Sequence, residues 1–272
     1  TYPFETADYW LQPGRVPDAA RHTQPSVQKN PNASQWFYVP SWTRLLAKPA
    51  GIHVVSLSVE KARVWLVYAD DCGFASALIT RLTSAGHEVI TVRPGKGFQQ
   101  VDPRSFIIEP ANSQHYDSLI RTLQASHSLP DRIVHAWSLT GVPSAQSDGN
   151  NFTQEQALGF YSLLFLARAL AAHNVGHEIK LFVLSNNVHE VYGTETLYPE
   201  KSTLLGPCMV IGQEYPNIRV KSIDVDVSEQ AGEHQSAADL VIGEFLESDS
   251  ILFVAYRNMQ RWVQTYEPVI LG

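Results

Sequence analysis

From about residue 51 onward, short apolar runs alternate with amphipathic stretches along the chain. The apolar runs predict strands, and the stretches with apolar positions three or four residues apart predict helices. Strands are expected at His53–Ser58, Val64–Tyr68, Glu88–Arg93, Ser105–Glu109, Arg132–Trp137, Lys180–Leu184, Ile218–Asp224 and Ile251–Tyr256. Helices are expected at Gly73–Ala85, Ser113–Ser126, Gln154–His173, Glu200–Gln213 and Ala237–Glu247.

Several predicted strands are apolar at nearly every position, as in Ile133–Trp137 and Leu181–Leu184. Strands that are buried on both faces of a parallel sheet have this pattern. The repeated order strand, helix, strand implies right-handed crossovers. We therefore predict an α/β fold with a doubly wound, mostly parallel sheet of a truncated Rossmann or short-chain-dehydrogenase type.

Two polar motifs predict where helices begin. Asn112 or Ser113 can cap the second helix, because a short polar side chain accepts a hydrogen bond from the first turn. Thr153 followed by Gln156 has the spacing of a capping box and predicts the start of the third helix. The polar stretch Gly141–Asn150 before that helix is expected to be a surface loop.

Residues 1–50 have a different pattern, with frequent prolines, many aromatic residues and no sustained period. Prolines at this density leave no room for a long helix. The aromatic residues, among them Trp36, Phe37, Tyr38 and Trp42, are too apolar to be left in water. We predict an extended linker over residues 1–50 that lies across neighbouring surfaces, with an edge strand near Gln35–Leu45, followed by an α/β domain over residues 51–272.

Charge and cysteine content limit the possible partners and the cellular compartment of this protein. The net charge of −7 and the lack of a basic patch argue against a nucleic-acid partner. No apolar run reaches the length of about 18 residues that a membrane span requires. Cys72 and Cys208 lie far apart without metal-ligand spacing, which predicts free thiols and a cytoplasmic location. Because the chain starts at Thr1 without a leader and stops at Gly272, we expect a piece of a longer protein.

The turn after the strand Val64–Tyr68 is the most informative feature. A dinucleotide-binding fold places glycines where this chain has Ala69, Gly73 and Ala75, because the backbone there must contact a pyrophosphate. Two of these positions carry a methyl group, and Asp70 and Asp71 add negative charge. One carboxylate ~5 Å from a phosphate charge costs roughly 3 kcal/mol at an effective dielectric of ~20. The turn therefore predicts that no dinucleotide binds.

A second feature resembles the site of short-chain dehydrogenases. Ser185 follows a predicted strand, and Tyr198 stands thirteen residues later, as the serine and tyrosine do in that chemistry. The lysine that lowers the tyrosine pKa should follow four residues after it, but Lys201 follows after three. Pro199 suits the first position of a helix and makes Tyr198 its cap, and Glu200 offers Lys201 another partner. We favour a structural helix start, with a reductase site as the alternative.

Other titratable residues are assigned structural roles. His135, in an apolar strand, is expected to be a core histidine, and Arg93 a surface charge and not a ligand for a 2′-phosphate. We predict no metal site. Asp70 and Asp71 lack a third ligand nearby, and the remaining candidates are too loosely spaced for zinc: His173, His177 and Glu178.

Longer strings resemble the ketoreductase region of modular type I polyketide synthases. Tyr2–Trp10 is similar to the segment that closes the acyltransferase region, although Thr6–Asp8 departs from its usual basic, glutamine-rich stretch. Phe37–Trp42 resembles the start of the ketoreductase region, and Trp65–Gly73 the first strand and turn of its structural subdomain. Further similar strings are Gly159–Ala167, Ser185–Asn187, Pro199–Ser202, Leu205–Cys208, Gln213–Asn217 and Arg261–Pro268.

The resemblance implies a non-catalytic half of a two-part region. In that family the second half binds NADPH and carries the catalytic residues, and the similarity stops before it, after Pro268. It implies no catalytic residue and no cofactor in this chain. The implied partners are the catalytic ketoreductase subdomain, the acyltransferase region, the acyl carrier protein and, in some modules, a methyltransferase. The alternatives are an interaction module for the carrier protein or neighbouring domains, and a free-standing NADPH-dependent reductase using Ser185, Tyr198 and Lys201.

Overall fold

The structure is a computed structural model that describes residues 31–45, 57, 61–141, 150–226, 231–247 and 251–269. The chain divides into two compact units, Thr1–Val39 with Pro268–Gly272, and Pro40–Glu267. The predicted domain boundary after residue 50 lies outside the described residues, as do most of the predicted strand at 53–58 and of the predicted loop at 141–150. Among the described residues, no helix has both the length and the apolar character needed to cross a membrane.

The described part of the first unit is short. It contains a 3₁₀ helix, Ala33–Gln35, which Asn32 caps by accepting a hydrogen bond from the amide of Ser34 at 3.1 Å. The next residues, Trp36, Phe37 and Tyr38, are exposed. In the part of the chain that the structure describes, these three aromatic side chains are therefore not covered.

Ten strands of the described residues form one sheet, which confirms the predicted fold class. They are β1 (Phe37–Leu45), β2 (Val64–Tyr68), β3 (Glu88–Pro94), β4 (Gln99–Asp102), β5 (Ser105–Ile108), β6 (Arg132–Ser138), β7 (Ile179–Ser185), β8 (Ile218–Asp224), β9 (Phe253–Arg257) and β10 (Gln260–Val269). Their order is β1-β10-β9-β8-β7-β6-β2-β3-β5-β4. All neighbours from β9 through β5 in that order pair in parallel. Strand β4 pairs antiparallel with β5, and β10 antiparallel with β9.

Helices cover both faces of the sheet, as a doubly wound fold requires. The α-helices are α1 (Phe74–Ser84), α2 (Ser113–Ala125), α3 (Asn150–Gln156), α4 (Ser162–Ala172), α5 (Leu205–Glu214) and α6 (Ala231–Leu246). A π turn, Ala157–Tyr161, joins α3 to α4, and a 3₁₀ helix, Pro199–Leu204, precedes α5. Buried residues of α2, α4 and α5 form one apolar cluster, and those of α1 and α6 form the other.

The helix-start predictions had different outcomes. Asn112 caps α2, since its Oδ1 accepts a hydrogen bond from the amide of Gln114 at 3.1 Å. The predicted capping box at Thr153 is wrong, because α3 already begins at Asn150 and Thr153 lies inside it.

Strands β4 and β10 were not predicted. All four residues of β4 are exposed, so it has no apolar face for a pattern to reveal. The apolar pattern of β10 is broken by Arg261, a charged residue that is buried in an ion pair with Glu244.

Candidate functional site

Parallel sheets of this kind bind ligands at the carboxyl ends of the strands, where the strand order reverses. Here the reversal lies at β2, which pairs with β3 on one side and with β6 on the other. The turn that follows β2 and the residues that follow β6 and β7 therefore line the candidate site.

The turn after β2 depends on one glycine. Gly73 has φ +93° directly before α1, a conformation that other residues adopt only with strain. A Cβ atom at Gly73 would have no neighbour within 4 Å, so the dihedral angle and not the available space requires glycine. Ala69 and Ala75 are both buried, and the amide of Ala69 donates to the carbonyl of Val92 at 2.9 Å.

Asp70 occupies the amino-terminal end of α1. Its Oδ2 accepts a hydrogen bond from the amide of Phe74 at 3.0 Å, and its Oδ1 accepts one from the amide of Ala75 at 2.5 Å. The residue is only 6% exposed. The first amides of a helix and its dipole attract anions, including cofactor phosphates. In this chain the carboxylate of Asp70 takes two of these amides.

Asp71 does not share this role. The sequence interpretation placed both carboxylates where a phosphate would lie, but Asp71 is exposed. The carboxylate that accepts hydrogen bonds from the first amides of α1 is that of Asp70.

The thiol of Cys72 is tied to the same carboxylate, since its Sγ donates to Oδ2 of Asp70 at 2.9 Å. Burial raises the pKa of Cys72 to about 12, and the hydrogen bond and charge of Asp70 add to the increase. Burial likewise raises the pKa of Cys208 to about 12. Both cysteines are free thiols, as predicted, and both remain protonated at neutral pH.

Ser185 is bound into the end of the sheet. Its hydroxyl donates to Oδ1 of Asp224 at 2.9 Å, and β7 and β8 pair these two residues in register. The other carboxylate oxygen of Asp224 forms an ion pair with Nη2 of Arg257 at 2.5 Å. Both Ser185 and Asp224 are completely buried. The hydrogen bond of Ser185 therefore helps to connect the ends of β7, β8 and β9.

Lys201 connects the ends of β6 and β7. Its Nζ donates to Oγ1 of Thr140 at 2.7 Å and to Oδ1 of Asn186 at 2.6 Å. Only 3% of the residue is exposed. Burial lowers the pKa of Lys201, although the charges of Glu155 and Asp224 oppose that shift.

Tyr198 caps the 3₁₀ helix Pro199–Leu204, with φ −114° and ψ 86°, as the sequence predicted. The centroid of its ring lies 5.1 Å from Nζ of Lys201. Burial raises the pKa of Tyr198, and the charge of Glu200 adds to the increase. A proton-donating tyrosine in a reductase needs a lowered pKa instead.

The three residues of the predicted reductase site, Ser185, Tyr198 and Lys201, are therefore only partly brought together. Tyr198 and Lys201 are brought into contact, whereas the described hydrogen bond of Ser185 goes to Asp224. Sequence reasoning missed the residues that hold this set: Thr140, Asn186, Asp224 and Arg257. Their only sequence signal is that polar residues follow or end apolar strands.

A buried carboxylate, also missed, lies in α3 beside this set. Glu155 is buried, and burial raises its pKa against the opposing charge of Lys201.

The other titratable residues considered in the sequence analysis lie in the core, at the surface or in separate pairs. Nε2 of His135 lies 2.7 Å from Oγ of Ser162 in the core, and burial lowers the pKa of His135 to about 3. Arg93 is exposed. The residues considered for zinc have separate partners, His173 with Asp117, His177 with the carbonyl of Pro130 and Glu178 with Arg219. Within the described ranges no group of three or more metal-ligating side chains occurs.

The arrangement can be compared with known proteins. A family model described as beta-ketoacyl synthase-like, N-terminal, matches residues 65–244. The chain belongs to this family. Comparison with curated protein sequences gives no match.

Two solved structures that contain ketoreductases have the same fold as this chain. A structure described as the adenylation, ketoreductase and pseudo Asub domains of a keto acid-selecting NRPS module aligns with TM-score 0.74 and 24% identity, over 85% of this chain and 18% of that one. An N-terminal ketoreductase from the macrolactin assembly line aligns with TM-score 0.66 and 14% identity, over 86% of this chain and 44% of that one.

A short-chain dehydrogenase/reductase family oxidoreductase from Brucella ovis, in complex with a partially ordered NAD, also has this fold. It aligns with TM-score 0.56 and 13% identity, over 72% of this chain and all of that one. The chain thus spans less than half the length of the two synthase structures and matches the whole of a reductase. The family model shows the beta-ketoacyl synthase-like family, and the solved structures show that the chain has the fold of ketoreductases.

Proposed function

We propose that this chain is a non-catalytic scaffold subdomain of a polyketide synthase module. In this role it supports the catalytic half of a ketoreductase region, which alone binds NADPH, while carrier-bound intermediates are processed. The observation that carries the proposal is the carboxylate of Asp70 on the amides of Phe74 and Ala75.

Asp70 opposes a cofactor in two ways. A pyrophosphate at the start of α1 would compete for amides that already have an acceptor. It would also meet a negative charge, at a cost of roughly 3 kcal/mol for a separation of ~5 Å. A dinucleotide would have to move this carboxylate and expose its buried partners before binding.

The other side of the cleft is held by the chain's own side chains. Lys201 joins the ends of β6 and β7 through Thr140 and Asn186. The Asp224–Arg257 ion pair joins the ends of β8 and β9. These bonds stabilise one arrangement of the strand ends, which suits a rigid support better than a site that must open and close.

Exposed apolar side chains at the end of the π turn and on α5 suit the docking of the catalytic half. Tyr161 and Val210 are 45% and 48% exposed, and the ring of Tyr161 stacks on Phe165 with centroids 5.9 Å apart. Gly206 is exposed beside the ring of Phe160, so a partner helix can approach the backbone closely. Exposed apolar side chains that form a patch mark interaction sites. We assign it to the catalytic ketoreductase half.

The first test is a calorimetric titration of the isolated chain with NADPH. We expect no saturable heat up to millimolar NADPH, because the amides of α1 are occupied. A short-chain reductase titrated in parallel shows that the assay detects binding. A micromolar Kd for this chain would overturn the proposal.

Docking is tested by co-purifying the chain with the separately expressed catalytic half of its synthase. Tyr161→Glu should reduce the co-purified fraction at least about tenfold, because it places a charge in an apolar interface. Tyr192→Glu is the matched control, since Tyr192 is similarly exposed at 42% but lies in the segment between β7 and the 3₁₀ helix Pro199–Leu204. Equal losses from both variants, or no loss from Tyr161→Glu, would contradict the assignment of this surface.

One observation favours the alternative of a free-standing reductase, namely the ring of Tyr198 lying close to the ammonium of Lys201. That alternative needs NADPH to bind, so the calorimetric titration decides between the two functions. It also needs Ser185 to leave Asp224, its described acceptor.

A further inference from the structure

The segment between β7 and the 3₁₀ helix Pro199–Leu204 forms a closed loop over residues 187–198. Its two ends meet, because the amide of Tyr198 donates to the carbonyl of Asn187 at 2.8 Å. The side-chain Nδ2 of Asn187 also donates to the carbonyl of Thr196 at 2.7 Å. Compact surface loops whose ends lie close together are called Ω-loops, and they frequently have a function of their own.

The first part of this Ω-loop is fixed to the carboxyl ends of β8 and β9. Asp224, the last residue of β8, accepts hydrogen bonds from the amides of Val188 and His189 at 3.3 and 3.2 Å. Nη2 of Arg257, the last residue of β9, donates to the carbonyl of His189 at 2.8 Å. The rings of His189 and Trp42 lie 4.9 Å apart, centroid to centroid. The loop therefore lies at the edge of the sheet where folds of this kind bind ligands.

The second part of the Ω-loop is built around one carboxylate. Oε1 of Glu195 accepts hydrogen bonds from the amides of Val191 and Tyr192, both at 2.9 Å. Oε2 of Glu195 accepts one from the amide of Thr194 at 3.1 Å. Gly193 has φ +82°, a conformation that glycine adopts without strain. Backbone amides that converge in this way form a nest, which binds anions.

The same carboxylate connects the two parts of the Ω-loop. Its Oε1 lies 3.4 Å from Nε of Arg257, whose Nη2 binds the carbonyl of His189. Only 11% of the Glu195 side chain is exposed. Burial alone would raise the pKa of Glu195, but the hydrogen bonds from the amides of Tyr192 and Val191 lower it to about 2. The carboxylate is therefore ionised at neutral pH.

We infer that the Ω-loop contains a carboxylate-binding site whose occupant is its own Glu195, and that this carboxylate is a latch that holds the loop closed over the ends of β8 and β9. The three amides suit a carboxylate, because two of them donate to one of its oxygens and one to the other. Without the latch the loop opens while the strands stay paired. The latch would act in the same way in a scaffold or in a reductase, so it does not depend on the proposed function.

The test is hydrogen exchange of the whole chain, followed by NMR. In Glu195→Ala we expect the amides of Val191, Tyr192 and Thr194 to exchange at least about tenfold faster, because they lose a charged acceptor. The amide of Tyr198, which does not contact Glu195 but closes the loop, should also exchange faster. Amides of β6 and β7, in the middle of the sheet, should keep their rates.

The control is another carboxylate of the same loop. Glu190 is exposed, and Glu190→Ala should change the exchange rates of the loop less than about twofold. Glu195→Gln keeps the shape of the side chain and loses its charge, so it provides the same comparison with the wild type if Glu195→Ala does not fold.

Added acetate separates a carboxylate site from a simple loss of packing. Acetate can replace the part of the side chain that Glu195→Ala removes, so it should slow the exchange of the three amides again, with a Kd on the order of 10 mM. In Glu195→Gln the side chain still fills the site, and acetate should have no effect. Sodium chloride at the same concentration controls for ionic strength and should restore less protection.

Two kinds of result would overturn the assignment. Unchanged exchange of the three amides, or of Tyr198, in Glu195→Ala would show that the carboxylate does not hold the loop closed. No rescue by acetate, or equal rescue by chloride, would show that the nest is not a carboxylate site. All these measurements are made without NADPH, so their failure is distinguishable from failure of the proposed function.

Discussion

Replacing Asp224 by alanine is expected to lower the free energy of unfolding by about 3–4 kcal/mol, because it leaves a buried charge without its main partner. Arg257 is only 3% exposed and contacts Asp224 at 2.5 Å. The same carboxylate accepts hydrogen bonds from the hydroxyl of Ser185 and from the amides of Val188 and His189. The variant would leave these groups, most of them buried, without that acceptor. The measurement is urea unfolding followed by circular dichroism.

Asp226 provides the control for Asp224. It is also paired with Arg257, at 3.6 Å, but its side chain is 57% exposed. Because exposed pairs contribute about 0–1 kcal/mol, Asp226→Ala should cost less than about 1 kcal/mol. If the two alanine variants were equally stable, the network would have no special role in holding β7, β8 and β9 together.

Replacing Asp70 by alanine is expected to cost about 2 kcal/mol of stability, since α1 loses the acceptor for two amides. It should also make Cys72 more reactive. Asp70 contributes to the raised pKa of that thiol, after burial. A tenfold larger thiolate fraction follows from each unit by which the pKa falls, as long as the thiol remains mostly protonated. Alkylation of Cys72 by iodoacetamide at pH 8 measures this change.

The neighbouring carboxylate is the control for Asp70. Asp71 is exposed, and Asp71→Ala should change stability by less than about 0.5 kcal/mol and leave the alkylation rate unaltered. A Cys208→Ala background isolates the signal of Cys72, since these are the two cysteines of the chain. If Asp70→Ala changed neither the stability nor the rate of alkylation of Cys72, the carboxylate of Asp70 would not occupy the first amides of α1. The scaffold proposal would then lose its main support.

The two predictions concern the same feature of the fold, in which the chain's own charged side chains bind the groups at the ends of strands and helices. Asp70 fills the anion site at the start of α1, and Asp224 fixes the ends of β7, β8 and β9 around Arg257. Lys201 adds a third bond, between the ends of β6 and β7. In each case a charged side chain of the protein itself takes up the hydrogen-bonding groups that a ligand could otherwise use. A scaffold gains rigidity from such bonds, whereas a catalyst needs some of these groups free for its substrate.

Elements with a strong apolar pattern could be predicted from the chain alone. Strand β2 matches its predicted bounds, because it is apolar at every position, as buried parallel strands are. Strand β8 also matches its predicted bounds, although four of its residues are polar. Helix α3 begins earlier than expected, because the polar residue taken as its cap lies within it. Strand β10 was missed because Arg261, a charged residue, is buried there against Glu244, which lies in α6.

The candidate site could be predicted only where one segment contains it. The α/β class, the loss of two glycines from the turn after β2, and Tyr198 as the cap before Pro199 could be read from the chain, because each depends on neighbouring residues. The choice between Asp70 and Asp71 is also local, but two adjacent carboxylates look alike in a sequence, and the folded turn selects Asp70 for the amides of α1. The bonds of Ser185 to Asp224 and of Lys201 to Thr140 could not be predicted, because their partners lie 39 and 61 residues apart in the chain and only the packing of the sheet brings them within hydrogen-bond distance.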